Sequence, residues 1–205
     1  MHQRFEIAFR AVAIAATATA GLALVACASA PENYGTAGMA GPQAFTLSSP
    51  AFRDGGNLET RHAGNLKTNP NCVGSNVSPA LSWSNAPAGT RSLAFVVVDP
   101  DGRSGLGVVH WVAYGIAPSV TGFAENEVAA PSPKYVGGKS AQGLPSYMGP
   151  CPPAGSGVHH YNYTLIATDL DPADLPPGLT RDELFAKLVG HAKGSATIIG
   201  RYGRP

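Results

Sequence analysis

The sequence predicts a mostly β domain: an antiparallel β-sandwich of Greek-key-like topology with one or two peripheral helices. Three observations predict it. Gly and Pro are plentiful, at 25 and 18 of 205 residues, which favours turns and short strands. Several short runs are either continuously apolar and β-branched or alternate apolar with polar, the two patterns that strands write. Only one segment carries both the start and the stop signals of a helix.

Residues 45–48 can open a strand. Leu81-Ser82-Trp83 alternates and leads into the turn Pro87-Ala88-Gly89. Residues 92–98 (SLAFVVV) form a continuous apolar run, as expected of a strand buried on both faces. Residues 99–107 (DPDGRSGLG) are turn chemistry throughout. Residues 108–116 (VVHWVAYGI) make a second buried strand, residues 117–145 read as irregular, and residues 161–169 (YNYTLIATD) make a third. The helix starts at Thr180, whose hydroxyl can cap it while Glu183, three residues on, reaches back. Leu184 and Leu188 share a face with Phe185, Val189 and Ala192. His191 and Lys193 suit the C-terminal end of the helix dipole, and Gly194 is a natural stop. Residues 196–199 with Tyr202 give a last strand.

The N-terminus reads as an address. Arg4 and Arg10 form a charged start, and residues 11–26 are an apolar run shorter than a membrane-spanning helix needs. Residues 1–26 are therefore expected to be a signal peptide. The run stops at Leu24-Val25-Ala26-Cys27, which resembles a lipobox, so Cys27 is the expected site of lipidation and membrane attachment. Ala28-Ser29-Ala30 leaves open ordinary cleavage that releases a soluble protein. Residues 27–43 then read as the lipid-bearing cysteine and a flexible tether, and residues 44–205 as the folded domain. Export is expected on either reading, to the periplasmic face of a bacterial membrane, with the outer one favoured, or to the soluble periplasm.

Charged residues are 13% of the chain and the formal net charge is +1. Removing residues 1–26 takes away Arg4, Arg10 and Glu6, which leaves the two signs balanced. No Lys/Arg run offers a footprint for nucleic acid. Apart from Cys27, the cysteines are Cys72 and Cys151, both in loops rich in Gly, Pro and Asn. An even pair in an oxidising compartment is expected to form a disulfide.

Chemistry concentrates at loop–strand junctions. Asp99-Pro100-Asp101 follows the first buried strand. Its carboxylates, two residues apart, would point the same way in extended backbone, although Asp99 can also serve as a plain turn cap. His110-Trp111 lies inside the second buried strand. An isolated His there is more often a satisfied core residue, but it gains weight if Asp99 faces it, fixes its tautomer and raises its pKa. Tyr147-Met148-Gly149-Pro150-Cys151-Pro152-Pro153 is rigid and leads to His159-His160-Tyr161, where His159 and Tyr161 share a side and His160 faces away.

In this order these motifs resemble the phosphatidylethanolamine-binding (Raf kinase inhibitor-like) protein family, in its exported bacterial branch. Residues 76–83 (NVSPALSW) with Pro87-Ala88-Gly89-Thr90 resemble the segment that precedes the first motif in that family. The resemblance runs from about residue 45 to the C-terminus. It implies an antiparallel β-sandwich with a small cavity for phosphate or a phospholipid headgroup. The pocket residues it implies are Asp99, Asp101, His110, Trp111, Pro152, Pro153, His159 and Tyr161, with Tyr147 and Gly149 nearby. His110 and His159 would donate to anion oxygens, amides near Gly149 would add donors, Asp99 would orient and charge a histidine, and Trp111 and the prolines would form an apolar wall. The chain departs from the family pattern at Gly102-Arg103-Ser104, at residues 139–143 and at His160.

A binding protein for a small anion or headgroup is therefore expected rather than an enzyme, with no cofactor and no metal. One alternative is an inhibitor of a protease or another protein, with residues 117–145 as the candidate loop. Another is a metal-assisted hydrolase using Asp99, Asp101, His110 and His159, although no G-x-S-x-G elbow, P-loop or H-E-x-x-H spacing supports it.

Overall fold

The computed structural model describes residues 43–205. The expected signal peptide, Cys27 and the tether up to residue 42 lie outside the described residues. In chain order the strands are β1 Thr46–Ser48, β2 Gly56–Asn57, β3 Leu81–Ser84, β4 Ser92–Asp99, β5 Val108–Ile116, β6 Gly122–Phe123, β7 Val136–Gly137, β8 Gly157–Thr168 and β9 Ala192–Arg204. The α-helix is α1, Arg181–Leu188.

The strands form two sheets, ordered β1-β3-β6 and β2-β9-β8-β4-β5-β7. The expectation of purely antiparallel pairing is corrected at one edge. Two-residue β2 runs parallel to β9, with Gly56 opposite Gly200 and Asn57 opposite Arg201, so the large sheet is mixed. A two-residue strand whose partner lies at the far end of the chain leaves no local pattern to read.

Strands β4 and β5 lie mid-sheet, and β4 is buried along nearly its whole length. One face of the large sheet gives Phe95, Trp111, Tyr163 and Leu165 to a core shared with Leu47, Leu81, Trp83 and Phe123 of the small sheet. Aromatic contacts cross between them: Trp83 lies 6.3 Å from Phe95, and Trp111 lies 5.7 Å from Phe123. The opposite face buries Val96, Val112 and Tyr114 under Leu175, Leu179, Leu184 and Leu188, so α1 and the chain leading into it cover that side. Residues 117–145 are anchored rather than free, because Phe123, Val128 and Tyr135 are buried in the core.

Thr180 and Glu183 form the expected capping box at the start of α1. The end of the helix differs from expectation. It stops at Leu188, and Gly190 takes a left-handed φ of 81°, which a residue without Cβ adopts at no steric cost. Ala192, Lys193 and Gly194 belong to β9 instead, while Phe185 and Val189 face solvent. His191 and Lys193 pair with Asp169 at 2.8 and 2.6 Å rather than with the helix end.

Cys72 and Cys151 are bonded, with Cα atoms 4.6 Å apart across a sequence separation of 79. The bridge ties the loop around Asn69 to the Gly149–Pro153 segment.

Candidate functional site

Strand β4 ends at Asp99, β5 starts at Val108, and β8 starts at Gly157. The pairing is antiparallel and the three strands are neighbours, so these points meet at one end of the large sheet. A cavity of about 260 Å³ lies there. Asp99, His110 and His159 line it together with Pro152 and Pro153. Asn69, Gly102, Arg103, Val108, Gln142 and Cys151 complete the wall.

Local irregularities aim the side chains. The β4–β5 register passes from Val97 opposite Trp111 to Val98 opposite Val109, so His110 is an extra residue on β5. Such a bulge breaks strict alternation and re-aims one side chain. Asp99 is 3% exposed. Its Oδ1 accepts from the amides of Asp101 and Gly102 at 2.9 and 3.0 Å. Its Oδ2 accepts from His159 Nδ1 at 2.7 Å. The other nitrogen of His159 lies 3.1 Å from Ser156 Oγ. That hydroxyl already donates to the Pro153 carbonyl at 2.7 Å, so Nε2 is the donor to Oγ.

His110 is built differently. Its Nδ1 donates to the Met148 carbonyl at 2.8 Å. That fixes the tautomer and leaves Nε2, which has no protein partner among the described residues, as a lone-pair acceptor. Burial pushes the His110 imidazole below its ordinary value, against the opposing pull of the Met148 carbonyl and Asp99. Tyr161 packs edge-on to the His110 ring at 5.2 Å. Its hydroxyl is buried without a partner, and burial pushes it well above the usual tyrosine range.

Residues 48–203 match the family model for phosphatidylethanolamine-binding protein. The chain belongs to the phosphatidylethanolamine-binding protein family. A Mycobacterium tuberculosis relative whose name designates a lipoprotein, LppC, is 38% identical over 158 residues, covering 77% of this chain and 72% of that one. A UPF0098 protein of Methanothermobacter thermautotrophicus is 38% identical over 162 residues, covering 78% of this chain and 99% of its own. Among solved structures, Escherichia coli YbcL, described as a member of the mammalian family, superposes with a TM-score of 0.70 at 28% identity. That alignment covers 78% of this chain and 99% of YbcL. A Chlamydia trachomatis homologue gives a TM-score of 0.67 at 28% identity, over 79% and 99% of the two chains.

In this phosphatidylethanolamine-binding family member, five of the residues expected from sequence line the cavity: Asp99, His110, Pro152, Pro153 and His159. The others are placed elsewhere. Trp111 is fully buried between the sheets against Phe95, Phe123 and Tyr135, so it is core and not cavity wall. Tyr147 is buried and donates to the His62 carbonyl at 3.0 Å. The Gly149 amide already donates to Asn76 Oδ1 at 2.8 Å, which removes it as an anion donor. A Cβ at Gly149 would strike the His62 carbonyl, so the position needs glycine. Tyr161 lies beneath His110 rather than on the cavity surface.

Asp101 does not point with Asp99. Its backbone turns into the αR region (φ −79°, ψ −20°), and extended alternation ends with the strand. Its carboxylate accepts from His160 Nδ1 and from the His160 amide at 2.9 and 2.8 Å, which lowers its pKa. Asp99 therefore orients His159, and His110 takes its tautomer from Met148 rather than from a carboxylate. The four residues of the metal alternative do not converge, and no group of three His, Cys, Asp or Glu is placed to hold a metal among the described residues.

Sequence reasoning missed Arg103, Gln142 and Asn69 on the cavity wall. The first two sit where the chain departs from the family pattern. Arg103 and Ser104 hold left-handed φ values of 52° and 58°, an uncommon state for residues that carry a Cβ.

Proposed function

We propose that this protein binds a small phosphate-bearing anion, or the phosphate of a phospholipid headgroup, in the cavity at the end of β4, β5 and β8. We propose also that it is exported and held at a membrane through Cys27, and that it acts by binding rather than by catalysis. One observation carries the reading. A small cavity gathers an open His110 lone pair, the Arg103 cation and the amides of Asn69 and Gln142 against a rigid Pro152–Pro153 wall. Arg and the side-chain amides are donors suited to phosphate oxygens. The neutral His110 Nε2 suits an acidic hydrogen, from a singly protonated phosphate or a headgroup ammonium. The Asp99 carboxylate in the wall repels a bare dianion, so a zwitterionic or singly charged ligand fits better. The name of the mycobacterial relative and the Cys72–Cys151 bridge support the export reading.

Thermal unfolding of the purified protein with phosphate, phosphoethanolamine or EDTA tests this. A ligand that binds only the folded state raises stability by RT ln(1 + [L]/Kd), so weak binding registers at high concentration. The expected result is a rise with both phosphates, lost in His110→Ala and indifferent to EDTA. No rise with either phosphate would sink the proposal.

A further inference from the structure

A second depression of about 210 Å³ adjoins the cavity. The two share Arg103 in their walls. Along β5, Val108 lines the first and Val109 the second, so the depressions lie on either side of the sheet end with Arg103 at the boundary. The second is lined by Lys139, Ser140, Thr180, Arg181 and Asp182.

Its charge is net positive. Arg181 is paired with Asp182, Nη2 to Oδ1 at 2.7 Å, which accounts for the carboxylate in the wall. Glu183, nearby, is held by the Thr180 cap through Oε2 at 2.8 and 2.9 Å, and its carboxylate is offset in part by the charge of Lys139. Neither Arg103 nor Lys139 has an ion-pair partner among the described residues. Two cations without an ion-pair contact thus line a polar hollow beside a cavity read as a phosphate site. The left-handed Arg103–Ser104 pair is a second, independent mark. Two consecutive side-chain-bearing residues in that region carry a conformational cost, and it falls on the residue shared by both hollows.

We infer that the second hollow is a subsite for an additional acidic group, so that the ligand is an acidic phosphoester. Its phosphate occupies the cavity, and its second anion lies across Arg103 against Lys139. The inference rests on the cavity binding phosphate. Such chemistry occurs both in soluble phosphoesters and in acidic phospholipid headgroups.

Phosphoethanolamine and O-phosphoserine differ by one carboxylate, so calorimetric titration of both isolates the subsite. The wild type is expected to bind O-phosphoserine about tenfold more tightly, the scale of one charge-assisted hydrogen bond. Lys139→Ala brings O-phosphoserine down to the level of phosphoethanolamine and leaves phosphoethanolamine within about twofold of the wild type. Lys139→Arg keeps the preference. Sedimentation with vesicles containing phosphatidylserine or phosphatidylethanolamine separates the sources. A Lys139-dependent preference for phosphatidylserine vesicles assigns the subsite to a lipid headgroup, and the preference in solution alone assigns it to a soluble phosphoester. Equal affinity for the two soluble compounds, or a preference that survives Lys139→Ala, overturns the inference while leaving the cavity reading intact. If neither compound binds, the cavity reading falls and this inference falls with it.

Discussion

Asp99 accepts three hydrogen bonds at once, from two amides that start the turn and from the ring of His159. Removing it strands two amide donors and the buried His159 ring together. Breaking a buried pair from one side costs on the order of 3–5 kcal/mol, so Asp99→Ala should lower the denaturation midpoint steeply. Asp101 and His160 form a pair of similar length that is roughly half exposed. Exposed pairs contribute about 0–1 kcal/mol, so Asp101→Ala should barely move the midpoint. Equal losses in the two variants would contradict this division.

His110 gives a pH signature. Its folded-state pKa is held below the ordinary 6.5 by burial, so as pH falls the unfolded chain takes up this proton first. The stability from a neutral His110 is present above 6.5 and declines below it, by up to about 1.4 kcal/mol per pH unit. Unfolding free energies at pH 7.5 and 5.0 should differ less in His110→Gln than in the wild type, and an unchanged difference would refute this.

At the scale of elements, the parts legible in the sequence were those whose signal is local. The apolar run of β4, the nine residues of β5 and the Thr180–Glu183 cap each carry their own pattern, and each is found. The ends were harder. Helix α1 stops at Leu188 because β9 claims Ala192 onward for a long antiparallel pairing with β8, and tertiary pairing overrides the apolar spacing of Val189 and Ala192. The two-residue strands β2, β6 and β7 are too short for any period to register. The site was legible to the same degree. Asp99, His110, Pro152, Pro153 and His159 stand out by type and position. The fate of Asp101 depends on a turn, the aim of His110 on a bulge, and the place of Arg103 in the wall on a left-handed backbone, none of which residue types alone encode.

At the scale of the whole molecule, the Cys72–Cys151 bridge spans 79 positions and one of its cysteines lines the cavity. Closing a loop of that length removes unfolded-state entropy worth about 4–5 kcal/mol in the chain-entropy model. Cys72→Ser should lower the unfolding free energy by about that amount. It should also weaken phosphate binding, because Asn69 is held near the cavity by the same loop. Retained stability in Cys72→Ser would show that packing alone fixes this wall.

The pairing of β2 with β9 reaches further. It joins residue 56 to residue 200, and β9 sits between β2 and β8 in the sheet. The strand made last therefore fills an inner place, and the sheet cannot close until nearly the whole chain is present. Loop closure over that distance precedes the contacts that reward it, which makes for slow folding. A polypeptide threaded across a membrane from its N-terminus would arrive with its sheet still open, in the extended state that passage through a narrow channel requires.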